Sequence, residues 1–326
     1  MIDLEGAMAA ARAAAATARL DAPPNPWVGA VVVDDLGEVL ATGATAPPGG
    51  PHAEVTALAA AGARARGATL VVTLEPCAHT GRTPPCVEAI EAAGIARVVV
   101  GLRDPDARVA GRGLDHLRAA GVGVVEGVGA SAVADQLAAY LTHRRTGRPY
   151  VVAKVAATLD GMVAVADGSS RWITGEAARA DAHRLRAESQ AILVGAGTVR
   201  ADDPRLTARL GERTYEPLRV VLGTAPPAAR VRPCLERSGE LGPILDELGG
   251  LDVLQVLLEG GPRTLSAFLE AGLVDRLVWY VAPALAGPKG LSALVGLVTP
   301  TMETLRRGRL VAVTRLGADV RLDVEV

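Results

Sequence analysis

Four side chains stand out for their chemistry: His52, Glu54, Cys77 and Cys86. The first two form Pro51-His52-Ala53-Glu54, and the third ends Glu75-Pro76-Cys77. One imidazole and two thiolates fill three positions of a tetrahedral zinc site and leave the fourth for water, the arrangement of a catalytic ion. Zinc brings the pKa of such a water toward neutrality and makes hydroxide available. H-x-E ahead of P-C and a second cysteine is the pattern of zinc-dependent base deaminases, with the glutamate moving protons rather than binding metal. Glu54 is therefore the expected catalytic group, and His52, Cys77 and Cys86 the expected metal ligands. Other divalent ions also accept His and Cys, so zinc is the expectation and not the sole option. Cys234 has no such company and reads as a packing residue.

These groups need elements to aim them. After Pro47-Pro48-Gly49-Gly50, Pro51 sits at a helix start, where its missing N–H is unneeded. Residues two apart do not share a helix face, but at a helix start His52 can point at a metal while Glu54 approaches from the side. Residues 69–74 read as a strand delivering Cys77. Cys86 opens a helix over 87–93, where the backbone dipole favours a thiolate.

The rest of the first half alternates in the same way. Helices are expected over 4–19, 53–66, 114–120 and 132–145, and strands over 28–33, 38–42, 97–101 and 122–126. That alternation predicts an α/β layered domain. Thr146-Gly147-Arg148-Pro149 then breaks the pattern, and a strand begins at Tyr150. The expected domains are 1–146 and 147–326. In the second half, strands are expected over 150–156, 191–194, 218–222, 253–258 and 276–281, and helices over 176–187, 242–248 and 264–271. Strands over 310–316 and 320–326 predict a C-terminal hairpin. Gly127-Val128-Gly129 lacks an acidic residue about twenty positions on, so it reads as a strand-to-helix turn rather than a dinucleotide fingerprint. Gly195-Ala196-Gly197-Thr198 lacks a third glycine.

Composition bounds the function. The 326 residues are 49% hydrophobic and 21% charged, a globular balance with room for two cores. Phe268 is the only phenylalanine, so Val, Leu, Ile and Ala must fill those cores. A net charge of −2 offers no excess to attract nucleic acid. No apolar run reaches the ~18 residues of a membrane span, and residues 1–20 lack the regions of a signal peptide. Three cysteines make no disulfide framework, so the expected address is the cytoplasm.

The run from Pro76 to Cys86 resembles the P-C-x-H-x-G-R-T-P-P-C element of the bifunctional riboflavin-biosynthesis deaminase–reductases. Pro24-Asn25-Pro26-Trp27-Val28-Gly29 is similar to that family's upstream element. Asp104-Pro105-Asp106 with Val109-Ala110-Gly111-Arg112-Gly113 is similar to another, with Asp106 and Ala107 replacing the usual asparagine and proline. Lys154 to Gly161, Gly168 to Thr174, Gly197 to Pro204 and Glu259-Gly260-Gly261-Pro262 continue the resemblance, which spans residues 25–315. It implies a cytidine-deaminase-like α/β/α layered domain followed by a dihydrofolate-reductase-like α/β domain. The first would deaminate a diamino-ribosylamino-pyrimidinone 5′-phosphate, and the second would reduce its ribosyl chain to ribityl with NADPH.

By the same resemblance, Asn25, His79, Arg82, Asp104 and Asp106 would bind the deaminase substrate. Ala156, Trp172, Thr198, Asp202, Gly260 and Gly261 would line NADPH. Lys154, Ser170, Arg186, Leu206, Arg209 and Glu259 would hold the reductase substrate, arginine suiting its phosphate. A homo-oligomer through the reductase domain is implied as well. The chain departs from the family at Gly223, where an acidic residue is usual, at Arg263, and in a shortened 223–250 connection. An active deaminase with a degenerate, non-reducing second domain is therefore the alternative.

Overall fold

A computed structural model describes residues 2–81 and 83–326. The chain divides into two compact units, Met1–Gly147 and Arg148–Val326. No described helix is long and apolar enough to cross a membrane.

The first unit runs α1 (Leu4–Thr17), β1 (Gly29–Val33), β2 (Val39–Ala44), α2 (Ala53–Ala61), β3 (Thr69–Leu74), α3 (Cys86–Ala92), β4 (Arg97–Leu102), α4 (Arg112–Ala119), β5 (Gly123–Glu126) and α5 (Ala130–Thr146). Its sheet has the order β2-β1-β3-β4-β5, with β3, β4 and β5 parallel and β1 antiparallel to both neighbours. Two glycines show how the faces are covered. Gly29 pairs with Ala44 and Ala30 with Gly43, so Gly29 and Gly43 point to opposite sides of the sheet. A Cβ on Gly29 would lie 1.9 Å from the Ala11 carbonyl oxygen of α1, and one on Gly43 2.3 Å from the Ala53 carbonyl oxygen of α2. Helix backbone thus rests directly on each face, which makes an α/β/α sandwich. Both-sided cover explains why β1 and β3 are unbroken apolar or Thr runs, buried throughout. The helix expected over 53–66 ends sooner, because Gly62 takes φ 55° and a short 3-10 turn follows.

The second unit comprises β6 (Tyr150–Thr158), β7 (Met162–Ala164), α6 (Glu176–Ala187), β8 (Ala191–Gly195), α7 (Ala196–Asp202), β9 (Ala208–Leu210), β10 (Arg213–Tyr215), β11 (Leu218–Leu222), β12 (Leu235–Arg237), α8 (Leu241–Gly250), β13 (Gln255–Leu258), α9 (Pro262–Glu270), β14 (Arg276–Ala282), β15 (Leu291–Ser292), β16 (Arg309–Leu316) and β17 (Asp319–Glu325). Eight strands form one sheet, β12-β11-β8-β13-β6-β14-β17-β16. The pairs from β12 through β14 are parallel, and the C-terminal hairpin adds two antiparallel strands. Val151, Ala153 and Val155 of β6 pack with Leu245, Leu248, Leu265 and Phe268 of α8 and α9. On β14, Trp279 joins that cluster, while the next residue, Tyr280, turns the other way and donates its hydroxyl to Asp181 of α6 at 2.7 Å. Helices therefore cover both faces. In such a sheet ligands bind beyond the carboxyl ends of the parallel strands.

Candidate active sites

In the first unit His52 is the N-cap of α2 and Cys86 is the first residue of α3, with extended backbone at His52 and at Pro85 turning both toward the end of β3. His52 Nδ1 lies 3.1 Å from Cys86 Sγ and 3.6 Å from Cys77 Sγ. All three donor atoms fall within 4.8 Å of one another. The edges of a zinc tetrahedron with these ligands are roughly 3.5–3.8 Å, so the set fits zinc with little adjustment. The other imidazole nitrogen, Nε2, sits 3.3 Å from the Thr83 hydroxyl, and the Cys86 amide donates to Cys77 Sγ at 3.4 Å. Hydrogen bonding from Cys86, and then the neighbouring His52, depress the Cys77 thiol to about 4 despite its burial. A hydrogen bond with Cys77 raises the His52 imidazole. Glu54, in the first turn of α2, is buried, and loss of solvent raises its carboxyl against the pull of His52.

The other expected deaminase residues differ in what they face. His79 Nδ1 is buried with no hydrogen-bond partner among the described residues. Asn25 donates its backbone amide to the Ala22 carbonyl. Asp104 is buried, accepts the Tyr140 hydroxyl at 3.0 Å and the Asp106 amide at 2.9 Å, and is raised to about 6 by burial. Asp106 pairs with Arg108 at 2.7 Å, which holds its carboxyl at about 2. Arg82 lies outside the described residues.

Glu75 carried no assigned role in the sequence, yet its buried carboxylate organises this region. It accepts the amides of Gly111 and Gly113 at 3.0 Å and of Asp104 at 3.3 Å. One side chain thereby ties the 104–113 loop to the strand end that bears Cys77. Gly113 is pressed so close that a Cβ would lie 1.9 Å from the Pro76 carbonyl oxygen. The only signal for Glu75 was its place in Glu75-Pro76-Cys77.

In the second unit several of the expected residues meet around Glu259 and Gly261, beyond the carboxyl end of β13. Glu259 follows β13 and receives both arms of Arg186 from α6, at 2.6 and 2.7 Å. Lys154 Nζ of β6 lies 3.9 Å from the same carboxylate. Burial would push Glu259 up, but Arg186 and then Lys154 hold it at about 2. Gly261, the N-cap of α9, donates its amide to Thr198 Oγ1 of α7 at 3.1 Å. A Cβ on Gly260 would lie 2.7 Å from Thr264 Cβ, so the α9 start admits only glycine there without repacking. Asp202 ends α7 and accepts from Arg171 at 3.0 Å through its carbonyl. Trp172 is 70% exposed under the Arg179 guanidinium, and Ala156 and Ser170 are half-buried. Leu206 is buried at φ 55°, a strained setting for a leucine. Arg209 of β9 is exposed beside His183 of α6, a residue that the sequence did not single out.

Comparison with known proteins decides the family. Residues 1–102 match the family model of the cytidine and deoxycytidylate deaminase zinc-binding region, and residues 149–322 match that of the RibD C-terminal domain. The riboflavin biosynthesis protein RibD of Mycobacterium tuberculosis is 46% identical over 92% of this chain and 91% of its own. The chain belongs to the RibD family. RibD of Escherichia coli is 40% identical, covering 89% of this chain and 91% of its own. The structure of Acinetobacter baumannii RibD superposes with a TM-score of 0.91 at 37% identity, over 99% of this chain and 98% of that one. A Thermotoga maritima structure described as a diaminohydroxyphosphoribosylaminopyrimidine deaminase/5-amino-6-(5-phosphoribosylamino)uracil reductase gives 0.89 at 34%, over 99% and 98%. As a RibD-family member the chain is a bifunctional enzyme of riboflavin biosynthesis, a zinc deaminase and an NADPH-dependent reductase. Its fold is the cytidine-deaminase-like domain followed by the RibD reductase domain. The alternative of a degenerate second domain finds no support, since the reductase-domain match runs through that unit despite the shortened 223–250 connection.

Proposed function

We propose that the unit Met1–Gly147 deaminates a pyrimidine bearing a ribosyl 5′-phosphate, and that Arg148–Val326 then reduces the ribosyl chain to ribityl. The observation that carries the first half is the convergence of three metal donors beside a buried glutamate. His52 Nδ1 and the sulfurs of Cys77 and Cys86 would hold zinc, whose Lewis acidity makes hydroxide available near neutral pH. Glu54 takes a proton from the attacking water and delivers it to the ring nitrogen; it then carries the proton of the new hydroxyl to the amino group, which leaves as ammonia as the C–N bond breaks and the carbonyl forms. A carboxyl raised by burial suits a group that must hold a proton at one step and release it at the next. Asn25 and His79 face the base, and Arg82, by the family resemblance, also serves the substrate. Asp104 acts by shaping its loop, since Tyr140 and Asp106 occupy its carboxylate. Asp106 and its partner Arg108 set the polar lining for the ribose phosphate.

In the second unit NADPH supplies the hydride. Thr198, Asp202, Gly260, Gly261, Ala156 and Trp172 line its site at the strand ends. Lys154, Glu259 and Arg186 form a charged base against which the ribosylamino substrate is oriented, and Ser170, Leu206 and Arg209 complete its enclosure. The chain's own task is alignment of the sugar carbon against the nicotinamide.

Mass spectrometry of the products tests the order. Without NADPH the product should carry oxygen in place of one NH₂, and with NADPH it should gain two further hydrogens. Reduction of the diamino compound without prior deamination would overturn it. We also propose a homo-oligomer joined through the second unit, supported by the apolar edge strand β16, where Leu310 and Val313 are exposed. A cytoplasmic address is supported by three free cysteines.

A further inference from the structure

His183 and Arg186 lie three residues apart on α6 and therefore share a face. Arg186 Nη1 donates to the Thr207 carbonyl at 3.2 Å. Two residues on, the Arg209 amide lies 3.3 Å from His183 Nδ1, and Arg209 Nη2 lies 3.3 Å from His183 Nε2. Both ring nitrogens thus face N–H donors of one residue. A neutral imidazole has one lone pair to offer them, in either tautomer, and an imidazolium has none. We infer that His183 is a positioning residue of the reductase site: in the tautomer with its lone pair on Nε2, the neutral ring accepts from the Arg209 guanidinium and aims it at the anionic end of the substrate. The inference deepens the proposed function, because it rests on Arg209 and Arg186 serving the substrate phosphate.

Arg209 is exposed, so without an acceptor its long side chain samples many rotamers and binding must order it. The ring is kept neutral by its surroundings. Burial, then Arg186 on its own helix and Arg209 on β9, lower its pKa, while Glu259 beyond β13 and the Thr207 backbone oppose them. Lys154 of β6 lies 3.9 Å from Glu259. Glu259 is held at about 2, so mild acidification acts on this group through His183. Protonation removes its lone pair and adds a third positive charge beside two arginines.

Steady-state reduction of the deaminated substrate by the full-length enzyme tests this. His183→Phe should raise KM about five- to tenfold and leave kcat within about twofold. His183→Gln, whose amide oxygen can accept from Arg209, should restore most of the loss. Wild-type KM should climb more steeply than that of His183→Gln as pH falls from about 7.5 to about 5.5. The substrate phosphate titrates equally in both, so the difference isolates the ring. On an Arg209→Ala background, His183→Phe should add nothing. If Arg209→Ala raises KM and His183→Phe does not, the inference is wrong while the phosphate reading survives. An unchanged KM in Arg209→Ala overturns both. Should His183→Phe melt at assay temperature, the pH profile of His183→Gln decides, and a profile coincident with wild type overturns the inference.

Discussion

Glu54 and Glu259 are both buried carboxylates, and their neighbours drive them in opposite directions. At Glu54 desolvation outweighs the pull of His52 and the hydrogen bonds that favour its charged form, so its proton is held more firmly than usual. Glu54→Gln should lower deamination by about 10²–10⁴-fold while zinc content, measured by elemental mass spectrometry, stays stoichiometric. Loss of the metal in that variant would instead make the glutamate a ligand. Glu259, by contrast, has a folded pKa of about 2 against an ordinary 4.5. A depressed carboxylate contributes stability above its unfolded pKa and loses it as pH falls from about 4.5 toward about 2. Arg186→Met should remove that contribution and leave a buried charge short of its main partner, at about 3 kcal/mol. Denaturant unfolding should then find the variant's deficit relative to wild type larger at pH 8 than at pH 5. The zinc donors and Glu54 were legible in the sequence because their spacing is a chemical pattern in itself. Glu75, Thr83, Tyr140 and His183 were not, because each acts on a backbone amide or side chain that only folding brings near.

At the level of elements, strands with continuous apolar runs and helices with glycine stops were readable, and several coincide with expectation to the residue, as β3 and α6 do. The short strands β7, β9, β10, β12 and β15 were missed. Two or three residues carry no period, and such strands exist only because a partner strand is there to bond them. Helix α7 was missed because Gly195-Ala196-Gly197-Thr198 was weighed only as a dinucleotide fingerprint, whereas Gly195 is its N-cap. The 104–113 loop with α4 is the element most tightly bound to the deaminase site, through Glu75 and the contact of Gly113 with Pro76. Gly113→Ala should force α4 away from Pro76, lowering stability by about 1–3 kcal/mol in a thermal melt and weakening zinc retention against a chelator. A variant that melts and retains zinc like wild type would show that this junction has slack.

On the scale of the whole molecule, each unit has its own core and its own set of reactive residues, so the two chemistries should be separable. Glu54→Gln should still reduce deaminated substrate, and Arg186→Met should still release ammonia from the diamino compound. Assembly should respond to the other end of the second unit's sheet. Lysines at Leu310 and Val313 on the exposed face of β16 should shift sedimentation toward monomer, and an unchanged profile would exclude that edge as the junction. Gly43, on the edge strand of the first sheet, bears on chemistry that it never touches. The empty space at its α-carbon is where the backbone of α2 lies, and α2 carries both His52 and Glu54 at its tip. A methyl group there would lift the whole helix, and a displacement near 1 Å is enough to cost about 10²-fold in rate. Deamination is thus exposed to a purely volumetric control, in which every reactive atom is retained and only the distance between them is spoiled.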